Sequence, residues 1–151
     1  MSKKAERSPA QVCTRLLFVA YGLLMLWLLF GQRVGQPVNP DNVNLIPLAT
    51  LKLYLRIVEN TQDAQLLRHA FVNLVGNVVM FVPLGWFLPV IWRRYRNFLR
   101  CALCLMTTVE LIEVIQYLTG LGSCDIDDLL LNLVGGSLGW CICRLFTKKT
   151  K

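Results

Sequence analysis

Three groups of polar residues interrupt otherwise apolar runs, at spacings that a helix would turn to one side. Glu110, Glu113 and Gln116 recur every third residue. At 3.6 residues per turn they fall within an arc of about 120°, bordered by Thr107. His69, Asn73 and Asn77 follow at steps of four and form a second stripe. Asp128 and Asn132 lie one turn apart, directly after Asp125 and Asp127. Such carboxylates support several kinds of chemistry. A pair whose environments differ can act as general acid and general base. Several together can hold a hard divalent cation through oxygen ligands, and an intramembrane Glu can relay protons. Glu110, Glu113, Asp125, Asp127 and Asp128 are therefore the catalytic candidates. His69, Asn73, Asn77, Gln116 and Asn132 are the candidate ligand-binding residues. No convincing nucleophile accompanies them, and His69 is the single histidine. Whether the chain is an enzyme stays open, and no cofactor is indicated.

Each group also has a plainer reading. Asn73 and Asn77 could tie helices together through hydrogen bonds typically worth under ~2 kcal/mol each. An Asp ahead of a helix suits an N-cap, where it accepts unpaired N–H groups and complements the helix dipole. Two glutamates in mid-span are harder to explain this way, because a carboxylate near the bilayer centre costs roughly 3 kcal/mol or more.

The elements that must position these groups follow from composition. The 151 residues are 55% apolar and only 17% charged, with a mean hydropathy of +0.50. Soluble domains carry about 25% charged residues, so the surplus apolar surface calls for lipid. Four runs approach the ~20 residues needed to span a ~30 Å hydrocarbon core: about 13–31, 70–92, 98–119 and 126–146. Pro83 and Pro89 fall inside the second. The first could pass for a signal peptide, but Gly31, Gln32, Arg33 and Val34 offer no small-residue cleavage site. It reads as a retained anchor. The expected fold class is all-α, a four-helix transmembrane bundle in a single domain.

Orientation follows from the basic residues. Lys3, Lys4, Arg7 and Arg15 precede or open the first span. Arg93, Arg94, Arg96 and Arg100 surround the connection between the second and third, and Arg144, Lys148, Lys149 and Lys151 end the chain. These groups lie on one side and hold twelve of the sixteen basic residues. The positive-inside rule puts both ends in the cytoplasm and residues 32–69 in an outer loop. Placed at span edges, these residues argue for a membrane protein rather than a nucleic-acid binder, despite the net charge of +7. Within the outer loop Leu48, Leu51, Leu55 and Val58 recur at spacings of three and four, with Lys52, Arg56 and Glu59 between. A short amphipathic helix is expected there, lying on the membrane or packed over the bundle mouth.

With that orientation all three polar stripes lie in the outer halves of their spans, as an acidic pocket facing outward. Gly135 and Gly139 make a G-x-x-x-G packing face, within the bundle or between protomers of a homodimer. Cys101, Cys104, Cys141 and Cys143 read as small apolar packers rather than metal ligands.

The ordered motifs resemble those of the VanZ-like membrane proteins. Asn44-Leu-Ile-Pro47 is similar to that family's outer-loop N-L-I-P. Asn73-Leu-Val-Gly-Asn77 with Phe81-Val-Pro83-Leu-Gly85 resembles its N-x-x-x-N…F-x-P-L-G, and Glu113 with Gln116 its E-x-x-Q. Asp125-Ile-Asp127-Asp128 followed by Asn132-x-x-Gly135-Gly136 resembles its D-x-D-D…N-x-x-G-G. One departure is that many relatives carry an Arg shortly before the aspartates, where this chain has Gly122, Ser123 and Cys124. The resemblance implies a multi-pass protein of the bacterial plasma membrane, associated in some members with resistance to glycopeptide antibiotics, chiefly teicoplanin. The expected role is binding of a lipoglycopeptide or a lipid-linked cell-wall precursor. The alternatives are an enzyme acting on a lipid-linked envelope substrate and a small proton-coupled carrier.

Overall fold

In the computed structural model, residues 8–31, 43–122 and 124–148 are described. The order is α1 (Pro9–Leu26), β1 (Val43–Asn44), α2 (Ala49–Asn60), α3 (Ala64–Ile91), α4 (Phe98–Thr119), β2 (Cys124–Asp125) and α5 (Ile126–Lys148). The fold is all-α apart from one parallel two-residue ladder, pairing Val43 with Cys124 and Asn44 with Asp125. Three stretches are long and apolar enough to cross a membrane: Pro9–Gly31, Ala64–Ile91 and Ile126–Thr147. The fourth long helix, α4, has 22 residues and contains Arg100, Glu110 and Glu113.

Local chemistry sets the helix ends. Ser8 caps α1 through its hydroxyl, which accepts from the N–H of Gln11, and Pro9 follows where a missing N–H costs nothing. Asp63 caps α3, accepting from the N–H groups of Gln65 and Leu66. That cap starts the helix six residues before the apolar run expected from Ala70, so His69 is helical rather than part of a loop. Pro83 and Pro89 sit inside α3 without ending it. Residues Trp27–Gly31 continue α1 as a π-helical turn, and Arg93–Arg96 form a 3₁₀ turn ahead of α4. Asn97 caps α4 and Gly120, at φ 67°, ends it in the left-handed conformation that glycine tolerates.

Helices α3 and α5 run in the same direction and touch backbone to backbone. A Cβ added to Gly135 would meet the Val78 carbonyl oxygen at 2.0 Å, and one on Gly139 the Val82 carbonyl oxygen at 1.9 Å. Gly85 answers from α3, where a Cβ would lie 1.8 Å from the Gly136 carbonyl oxygen. The G-x-x-x-G face is thus used within the chain. Helix α4 covers this pair with Cys101, Leu105 and Val109, all fully buried. Helix α1 leans on α3 through Phe18 and Tyr21, which meet Phe87 edge-on or tilted at 5.6 and 5.8 Å between ring centroids. The Tyr21 hydroxyl donates to the Met80 carbonyl at 2.7 Å.

Candidate functional site

Polar groups gather at the end of the fold where α3 begins, α4 ends and α5 begins. The opposite end carries Arg93, Arg94, Arg96 and Arg100 on the turn and the start of α4, and Arg144 near the end of α5. At the polar end the buried polar side chains among the described residues are Glu113, Gln116, Asp125, Asp127 and Asn132.

Asp127, only 2% exposed, is the hub. One carboxylate oxygen accepts from the N–H of Leu48 at 2.5 Å and the other from the N–H of Leu51 at 3.0 Å. These are the N-cap and third-position donors of α2, whose own N-cap residue, Leu48, supplies no side-chain cap. In a capping box two side chains share these donors; here one carboxylate from another helix takes both. Leu48 is held at φ 65°, ψ 11°, a left-handed conformation costing a non-glycine residue about 1 kcal/mol or more.

Asp125 completes the clamp. One oxygen accepts from the Thr50 hydroxyl at 2.6 Å. The other accepts from the Asn44 amide at 3.3 Å and from the Asp127 N–H at 2.9 Å. Asn44 also donates to Thr50 at 2.8 Å, while its own carbonyl oxygen accepts from the Ile46 N–H at 3.2 Å. All four oxygens of Asp125 and Asp127 therefore meet donors from the chain itself. That arrangement suits them to holding the β1–α2 segment on the bundle rather than to proton transfer. Asp128 has a different neighbour: its oxygen accepts from the Asn77 amide at 2.5 Å, joining α5 to α3.

The other sequence candidates divide. Glu113 and Gln116 are buried on the inner face of α4, and Gln116 donates to the Leu29 carbonyl at 3.0 Å, tying α4 to the π-helical turn after α1. Asn132 is 3% exposed and its carbonyl oxygen has no hydrogen-bond partner among the described residues. Glu110 is exposed, whereas Glu113 is buried. The buried stripe runs through Cys101, Leu105, Val109, Glu113 and Gln116, and Glu110 lies about 60° beyond Glu113 on the other side. His69 is exposed, and Asn73 is spent within its own helix, donating to the His69 carbonyl at 3.1 Å. Steps of four advance about 40° each, so the stripe winds away from α5 and only Asn77 reaches across. Among the described residues no three His, Cys, Asp or Glu side chains converge as a metal site requires.

Sequence reasoning missed Thr50 and the backbone donors of Leu48 and Leu51. Asn44 stood in a recognised motif, but nothing in its spacing pointed to Asp125. The N-L-I-P signature is thus explained: Asn44 binds Asp125, and the residue after Pro47 presents its N–H to Asp127.

These polar positions are those of the motifs that order the sequence, and comparison with known families bears on them directly. The family model described as VanZ/LLP1 matches residues 18–147. The chain belongs to the VanZ/LLP1 family. The VanZ/LLP1 match takes in α2–α5 apart from the last residue of α5, and with them the whole clamp. Protein VanZ of Enterococcus faecium is 33% identical over 69 residues, 46% of this chain and 42% of that protein. The chain thus spans less than half the length of the curated relative it matches. No solved structure matches this chain. With its apolar helices, the chain is a VanZ-like membrane protein.

Proposed function

We propose that this VanZ-like protein crosses the bacterial plasma membrane four times, through α1, α3, α4 and α5, with both ends cytoplasmic. Its outer end binds an amphiphilic envelope ligand, a lipoglycopeptide or a lipid-linked wall precursor. At 22 residues α4 is about 33 Å long, enough to span. The arginines gathered at one end of the helices support this orientation. Helix α2 then lies at the outer membrane surface. Leu51, Tyr54 and Ile57 are half-covered by the bundle, while Leu53, Leu55 and Val58 are exposed beside Lys52 and Arg56.

The observation that carries the reading is the buried set Glu113, Gln116 and Asn132 at the same end of the fold as a clamped segment whose Leu45, Ile46 and Leu48 are exposed. Buried intramembrane polar groups flanked by exposed apolar side chains suit a ligand with a polar head and an apolar tail. The resemblance to VanZ adds teicoplanin as the compound to test. Expression in a teicoplanin-susceptible host is expected to raise the inhibitory concentration of teicoplanin but not of vancomycin. Glu113→Gln is expected to remove that protection at unchanged membrane levels. Protection that survives Glu113→Gln, or that never arises, refutes the reading.

A further inference from the structure

A second polar feature lies outside the aspartate clamp. A half-open depression at the start of α3 is lined by Ala64, Gln65, Arg68, His69 and Val72. The Tyr54 ring of α2 stands edge-on to the His69 ring, 6.0 Å between centroids. Arg68 is exposed, and its side chain makes no ion pair or hydrogen bond among the described residues. Asp63, the closest acid along α3, has an oxygen committed to the N–H groups of Gln65 and Leu66. A guanidinium with no partner among the described residues, at the rim of a depression, is a fork of donors matched to phosphate geometry.

One turn further along α3 the surface changes character, at Val72 of the lining and Phe71 beside it. Phe71 and Val72 are 61% and 59% exposed, so the same face is polar at its outer edge and apolar below. We propose that this depression, rimmed by Arg68 and His69, seats the phosphoryl group of an anionic lipid whose chains run down past Phe71 and Val72. Free phosphate is the other source of that chemistry. It would gain nothing from the apolar wall, and it would approach past the aspartates of the same end, whereas a lipid arrives within the membrane plane. The inference rests on the membrane orientation proposed above but not on any antibiotic phenotype.

The test uses the full chain in nanodiscs of phosphatidylcholine doped with phosphatidylglycerol, released into the gas phase for native mass spectrometry. The parent is expected to retain phosphatidylglycerol. Arg68→Gln, a change at an exposed position, is expected to lose retention roughly tenfold, the scale of one charge-assisted contact. Lys52→Gln, on the exposed face of α2, is expected to retain it. Three results overturn the proposal. Arg68→Gln could hold the lipid as well as the parent does, or Lys52→Gln could lose as much, which would mean diffuse attraction. Inorganic phosphate at matched concentration could displace the lipid, which would assign the site to the free anion. Teicoplanin protection measured on the same variants separates this outcome from failure of the proposed function.

Discussion

Replacing Asp127 with Asn keeps shape and volume but removes one of two acceptors. The carboxylate accepts from Leu48 at 2.5 Å and from Leu51 at 3.0 Å while almost wholly buried. Hydrogen bonds to a charged group contribute about 1.5–3 kcal/mol, neutral ones about 1 kcal/mol. The amide of Asn keeps one bond at the neutral value and points an N–H₂ at the other donor, so docking of α2 should weaken by about 2–3 kcal/mol. At 1.4 kcal/mol per factor of ten, local opening becomes roughly thirty- to a hundredfold more frequent. Hydrogen exchange of the protein in nanodiscs, followed by mass spectrometry, reads this directly. Peptides from Ala49 to Arg56 should exchange faster by that factor, while peptides from the buried centre of α4 stay unchanged. Protection within about threefold of the parent in Asp127→Asn would falsify the assignment of Asp127 as the clamp. Equal acceleration in α4 would refute it differently, by showing global rather than local loosening.

Three further outcomes are expected. Gly139→Ala places a Cβ 1.9 Å from the Val82 carbonyl oxygen and should cost about 3 kcal/mol. Gly22→Ala meets nothing within 4 Å and should leave Tm unchanged or raised; thermal unfolding in detergent followed by size exclusion compares the two. Tyr21→Phe deletes the 2.7 Å bond to the Met80 carbonyl and should lower stability by about 1 kcal/mol in the same assay. Glu110→Gln, at an exposed position, should leave any teicoplanin protection within twofold of the parent, in contrast to Glu113→Gln.

Much of the helical organisation was legible because apolar runs and caps are local signals. Each of the four runs falls largely on a long helix, three of them in stretches apolar and long enough to cross a membrane, and the i, i+3, i+4 pattern after Pro47 falls on α2. The site was legible in its residue types but not in its partners. Periodicity gives an angle around a helix axis and says nothing about which neighbour occupies that angle. It placed Glu110, Glu113 and Gln116 in one arc, but the bundle covers only the side toward Val109 and Gln116. It aligned His69 with Asn77, but the 40° drift at each step carries His69 to Tyr54 and Asn77 to Asp128. The role of Asp127 was the hardest to read, because its partners are backbone N–H groups 76 and 79 positions earlier in the chain. Backbone donors leave no trace in residue type.

The clamp has a consequence for the order in which the protein is made. Leu48, Thr50 and Leu51 emerge from the ribosome long before Asp125 and Asp127, and two long helices, α3 and α4, separate synthesis of the donors from synthesis of their acceptors. During that interval the start of α2 has neither a cap of its own nor the borrowed one, and the left-handed turn at Leu48 lacks the bonds that hold it. The clamped end of the molecule is therefore finished last, when α5 reaches back to the segment that opens α2. A chain halted after α4 would hold most of its helices yet remain unfinished at the clamped end. Misplacement of α5 would register first as an undocked α2 rather than as a missing helix.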